Sequence, residues 1–164
     1  MYDNGNTANS NSGFTLIELM LSMSIMAILI GFISINLLRP QQKSNLDSSI
    51  TTLISDLKEQ QLKSMVGDSD GKPAAQTYGI YFEPTRYTLF QGNAYDASDT
   101  HNFAVSLNDI TISTSLPSSQ IVFNRRDGEL IGFTENQNTL TFKNSSSQNQ
   151  KIITINKYGT ISIE

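Results

Sequence analysis

The feature that most constrains this chain is an apolar run near its start. Residues 14–38 hold one charged residue, Glu18, and none at all from Leu19 onward. At ~1.5 Å of rise per residue, roughly 20 helical residues cross the hydrocarbon core of a bilayer. The run is too long for a signal-peptide core and long enough to span. Ser22, Ser24 and Ser34 are compatible with a spanning helix, because a helical hydroxyl can bond a backbone carbonyl one turn earlier. Glu18 is the anomaly. A lone carboxylate in the apolar end of a membrane helix is costly and reads as functional. The bland alternative is that the span begins at Leu19 and Glu18 sits among headgroups.

Residues 1–13 are small and polar, with one acid, Asp3, and no Lys or Arg. They lack apolar periodicity and read as a segment that is disordered or removed. Across the junction, Gly13-Phe14-Thr15-Leu16-Ile17-Glu18-Leu19-Met20 resembles the prepilin signal of type IV pilins and pseudopilins. The resemblance implies cleavage by a prepilin peptidase between Gly13 and Phe14, with Phe14 becoming the N-methylated end. It gives Glu18 the family's assembly role, pairing with the N-terminal amine of a neighbouring subunit. A freed amine is the kind of partner that offsets burial of a carboxylate. In such a bundle Ala27 and Gly31 are the small residues that let helices approach closely. The leader departs from the family in lacking basic residues, while Arg39 and Lys43 follow the span, so charge bias alone favours the opposite orientation.

After Pro40, which is expected to break or kink the helix, a second pattern starts. Leu46, Ile50, Leu53 and Leu57 recur at four, three and four residues, which makes one apolar stripe on a helix. Ile54, Leu62 and Val66 are expected to widen or extend it, with Asp56, Lys58, Glu59 and Lys63 on the wet face. Residues 67–71, Gly-Asp-Ser-Asp-Gly, stop it.

From there the periodicity is that of strands. Residues 77–82 and 86–91 flank Glu83-Pro84-Thr85 as a hairpin. Further strands are expected at 110–113, 121–124, 129–133, 139–143, 151–155 and 160–163. Asp127-Gly128 and Tyr158-Gly159 mark turns, and 93–102 and 144–150 are polar loops. The fold class is α+β and pilin-like: a long N-terminal helix packed on a C-terminal antiparallel β-sheet domain. The expected organisation is a leader at 1–13, a transmembrane assembly helix at 14–38, an amphipathic linker helix at 39–66 and an extracytoplasmic β-rich domain at 67–164. The order of the strand motifs, ending in Ile153-Thr154-Ile155-Asn156-Lys157-Tyr158-Gly159, is similar to the minor pseudopilin H and FimT group, which serves type II secretion or type IV pili.

The other candidates are weaker. Asp68-Ser69-Asp70-Gly71 has the look of a calcium-loop fragment but lacks the distant Glu, so it reads as a helix-ending turn. His101 is alone in a polar loop, with no cysteine in the chain to join it in a metal site. Arg125-Arg126 sits at a turn beside Asp127. Tyr81, Tyr87 and Phe90 near Arg86 offer a stacking surface for a single strand or, more simply, core. Asn144-Ser145-Ser146 fits a glycosylation sequon. There is no nucleophile elbow, phosphate loop or dinucleotide fingerprint, so no catalytic residue, cofactor or metal is assigned.

The residues and the resemblance lead to one expectation. The chain is a minor pilin or pseudopilin with no enzymatic role, held in the bacterial inner membrane with its C-terminal domain outside the cytoplasm. Its expected partners are other pilins, a prepilin peptidase, the inner-membrane assembly platform and membrane lipid. A net charge of −4 argues against nucleic acid as the main partner. A DNA-binding minor pilin for natural transformation is the alternative, weakened by the absence of Arg or Lys in Ile161-Ser162-Ile163-Glu164.

Overall fold

The structure, a computed structural model, describes residues 13–69, 71 and 73–164, with the side chains of 32–44 outside the described set. The chain divides into two compact units, Met1–Leu38 and Arg39–Glu164. Helix α1, Leu16–Val66, has bounds that reach into both. Pro40, where a break or kink is expected, lies within the bounds of α1.

In the first unit the described side chains of α1 are exposed from Leu16 to Gly31. Among the described residues no helix is long and apolar enough to cross a membrane. The span expected at 14–38 is described with its side chains only as far as Gly31, and the leader up to residue 12 lies outside the described residues.

The second unit holds the remainder of α1, eight strands and a short 3-10 turn, Pro117–Ser119. The strands are β1 Tyr78–Glu83, β2 Arg86–Gln91, β3 Phe103–Ser106, β4 Ile110–Thr114, β5 Gln120–Phe123, β6 Thr139–Asn144, β7 Gln150–Ile155 and β8 Ile161–Ile163. They form two antiparallel four-stranded sheets, in line with the antiparallel β-sheet domain expected. Their orders are β3-β2-β1-β5 and β4-β6-β7-β8. The chain completes three strands of the first sheet, places β4 in the second, returns for β5 and then finishes the second sheet.

One core joins both sheets to the helix. Ile80, Phe82, Tyr87, Ile121 and Phe123 come from the first sheet, and Ile110, Ile112, Leu140, Phe142, Ile153 and Ile155 from the second. The stripe Leu46, Ile50, Leu53 and Leu57 is buried among them, as its spacing requires. Each such side chain removed from water contributes about 1.5–3 kcal/mol. Leu62 and Val66 do not extend the stripe; both are exposed. The same three-and-four spacing runs instead to Gln60 and Ser64, both buried. The reason is local. Ser64 Oγ accepts a hydrogen bond from the Tyr78 backbone N–H at 2.8 Å, so the helix meets the start of β1 through a polar contact.

The helix ends in a Schellman motif. Gly67 takes φ 69°, its N–H bonds the Ser64 carbonyl at 3.2 Å, and the Asp68 N–H bonds the Lys63 carbonyl at 3.0 Å. In β1, Gly79 is required for a different reason. A Cβ there would lie 2.3 Å from the Ile121 carbonyl oxygen and 2.6 Å from the Phe90 ring, so strand β5 and Phe90 close over it.

The expected hairpin is present as β1 and β2, paired from Tyr78↔Gln91 to Glu83↔Arg86 around Pro84-Thr85. The strand expected at 129–133 is absent. Only Leu130 forms a bridge, with Phe123. The Leu130 N–H bonds the Lys157 carbonyl, the Ile131 N–H bonds the Val122 carbonyl, and Gly132 then turns the chain at φ 70°. Strand β3 was read as part of no element, because Phe-Ala-Val-Ser is too short to show alternation.

Candidate functional site

The residues singled out at the N-terminus stand on the first turn of α1. Gly13 and Phe14 precede the helix outside any regular element, and Phe14 is 86% exposed. Nothing lies within 4 Å of a Cβ built on Gly13. The junction between them is therefore open to an approaching protein.

Glu18 has a partner within its own chain. Its Oε2 accepts from the Thr15 backbone N–H at 2.9 Å and from the Thr15 hydroxyl at 2.8 Å. Thr15 Oγ1 in turn accepts from the Glu18 N–H at 3.3 Å. This is a reciprocal capping box, which satisfies donors that a helix start leaves orphaned. The signal was legible as Thr-x-x-Glu at the head of an apolar run, and the sequence reading passed over it in favour of an intermolecular partner for Glu18. The carboxylate is held by Thr15, one residue from Phe14, whose nitrogen becomes an amine if the Gly13–Phe14 bond is cut.

The two described serines of this stretch bond the backbone one turn earlier. The Ser22 hydroxyl donates to the Glu18 carbonyl at 2.7 Å and Ser24 to the Met20 carbonyl at 2.8 Å, so neither leaves a donor unmet. Ser34 lies outside the residues whose side chains are described. Large apolar side chains, among them Leu16, Met20, Leu21, Ile25, Ile28 and Leu29, are exposed on every side of the helix. A helix apolar all round needs lipid or other helices to cover it. Ala27 and Gly31 are exposed on this helix as well, and a Cβ built on Gly31 meets nothing within 4 Å.

The other sequence candidates are dispersed. Asp68 belongs to the helix-ending turn, its carbonyl accepting from Gln76 N–H at 3.1 Å, and Asp70 lies outside the described residues. His101 Nδ1 is 2.8 Å from Asp99 Oδ1. Among the described residues no three His, Cys, Asp or Glu side chains are grouped to hold a metal ion. Arg125 donates to the Ala75 carbonyl at 2.7 Å, while Arg126 is exposed. The aromatic trio does not make one surface. Tyr87 is in the core with its hydroxyl 2.5 Å from Asp56 Oδ2. Phe90 is buried on the opposite sheet face. Tyr81 is stacked on Tyr95, centroids 4.2 Å apart. Burial, and secondarily the bond to Asp56, pushes the Tyr87 phenol well above its ordinary pKa. The sequon residue Asn144 is buried, and its Oδ1 accepts from the N–H groups of Ser146 and Ser147 at 2.9 and 2.8 Å, so the side chain is turned into the fold rather than presented for a glycan.

A family model for the prokaryotic N-terminal methylation motif matches residues 8–34, the stretch that holds the open Gly13–Phe14 junction, the Thr15–Glu18 box and the exposed apolar helix. This is a prepilin-type signal. The match supports a type IV pilin-like protein, of the kind that a prepilin peptidase processes and that assembles with other pilins. No curated protein and no solved structure matches the chain.

Proposed function

We propose that this protein is a minor pilin or pseudopilin, a structural subunit of a type II secretion pseudopilus or a type IV pilus, without catalytic activity. The observation that carries this reading is the coincidence of the methylation motif with a helix whose apolar side chains are uncovered on all sides. Residues 14–38 hold the precursor in the inner membrane, with the C-terminal unit outside the cytoplasm. Prepilin peptidase cuts after Gly13 and methylates Phe14. Glu18 then exchanges its Thr15 contacts for the amine of a neighbouring subunit, and Ala27 and Gly31 admit neighbouring helices closely. The likeness of the strand motifs to the pseudopilin H and FimT group supports a minor rather than a major subunit.

Intact mass of the chain co-expressed with an active prepilin peptidase tests this. The expected product lacks residues 1–13 and carries one added methyl group, and a Gly13→Arg variant keeps its full mass. An unchanged mass in the parent chain, beside a processed control pilin, would remove the pilin reading and leave only an anchored β-rich domain.

A further inference from the structure

The first sheet of the C-terminal unit ends in an unguarded edge. Strand β3 pairs with β2 through Arg86↔Ser106, Tyr87↔Val105, Thr88↔Ala104 and Leu89↔Phe103. Its continuation, the Leu107 N–H, bonds the Thr85 carbonyl at 2.9 Å. Bonded and non-bonded pairs alternate in an antiparallel ladder, so Phe103 and Val105 bond toward β2. The N–H and C=O groups of Ala104 and Ser106 point off the sheet, and among the described residues they have no backbone or side-chain partner. Natural edges are usually blunted by Lys, Pro, a bulge or a covering element. Phe-Ala-Val-Ser has no such residue, Ala104 and Ser106 are exposed, and Phe103 is 65% exposed. The opposite edge of this sheet is covered, because β5 is bridged by Leu130 and bonded by Ile131.

Beside this edge lies a groove of about 350 Å³ between α1 and the sheet, lined among others by Asp56, Glu59, Lys63, Gln91, His101 and Phe103. Its charge is unbalanced. Asp56 and Glu59 outnumber Lys63, which already pairs with Glu59 at 3.1 Å. Gln91 is buried, and its Oε1 accepts no hydrogen bond among the described residues. The groove thus has an excess of negative charge and one unmet acceptor, and the strand beside it has spare backbone donors and acceptors.

We propose that β3 is a docking edge for an extended segment of a partner protein, added as a fifth strand, with apolar alternate residues against Phe103 and a Lys or Arg side chain reaching the groove. Main-chain bonds to Ala104 and Ser106 supply the affinity, and the groove selects the cation. The proposal stands on the C-terminal unit alone and is independent of the reading of the N-terminal signal.

The test is amide hydrogen exchange on the full chain in detergent. The probe is a short capped peptide alternating Thr and Val around one central Lys, titrated to millimolar concentration. The expected result is that the Ala104 and Ser106 amides slow by about fivefold or more, while the amides of β8, the other short edge, do not change. Replacing the Lys by Glu should abolish the effect at equal concentration. Ala104→Pro should also abolish protection at Ser106 yet leave exchange in β1 and β2 as in the parent, because its lost N–H faces away from the ladder. Absence of protection, equal protection by the Glu peptide, or persistence in Ala104→Pro would overturn the proposal. So would protection of these amides in the chain alone that rises with protein concentration, which would make a second copy the occupant.

Discussion

Tyr87 shows how much one side chain can decide. Its ring fills the core between helix and first sheet, and its hydroxyl reaches Asp56 on α1. Tyr87→Phe keeps the ring and removes that bond, and thermal unfolding should show a loss of about 1–2 kcal/mol. The pH dependence has a definite sign. The folded pKa lies above the unfolded value of about 10, so the folded state holds a proton that the unfolded state releases. This stabilisation is fully present below pH ~10 and is lost as pH rises beyond it. The parent should therefore lose stability on the alkaline side more steeply than the Phe variant. Parallel alkaline limbs would show that Tyr87 does not carry the effect. The sequence displayed Tyr87 as one of three strand aromatics. Its partner on a helix 31 residues earlier was not legible, because pattern shows which face a residue is on and not what meets it there. Thr15 is the opposite case, a contact to the fourth residue of a motif, fully visible in order and spacing.

At the scale of elements, the helix is fastened to the sheets by bonds as well as by its stripe. The Gln61 side-chain amide donates to the Gly128 carbonyl at 2.8 Å and the Tyr158 carbonyl at 3.0 Å, and Lys58 Nζ donates to the Gly159 carbonyl at 2.8 Å. Two turns that the sequence marked as separate punctuation, Asp127-Gly128 and Tyr158-Gly159, thus close on one helical residue. Gln61→Ala should cost about 1–2 kcal/mol in denaturant unfolding, and Leu53→Ala, at the centre of the stripe, about 2–5 kcal/mol. If Gln61→Ala proved neutral, the turns would be held by their own backbone bonds alone. Elements with strong period were read correctly: the stripe, the hairpin and strands β6, β7 and β8. The errors fell where backbone partners change from residue to residue, as at 129–133, or where a strand has four residues, as in β3. The division into two sheets was not legible, because strand order along the chain does not reveal which neighbours pair, and β4 and β5 exchange sheets.

For the whole molecule, the polar C-terminal unit and the apolar segment at 14–38 ask for different surroundings. Leu21→Asp combined with Ile25→Asp places two carboxylates on exposed positions of the apolar helix. Each costs roughly 2.5–3.5 kcal/mol at the centre of a bilayer. Together that is about four powers of ten in partition, so the double variant should leave the carbonate-washed membrane fraction, where the parent is expected to remain. Retention of both chains alike in the pellet would mean that residues 14–38 are not the anchor.

The fastening of α1 also bears on mechanics. Asp47, Lys58, Gln61 and Ser64 tie the helix to Lys151, to two turns and to the start of β1 over nearly five helical turns. A force drawn along the helix axis loads these bonds in parallel, as shear, together with the buried Leu46–Leu57 stripe. None of them can open alone without the others bearing the load. A domain held in this manner resists being stripped from its helix, and its rupture under tension should be a single event rather than a gradual unzipping.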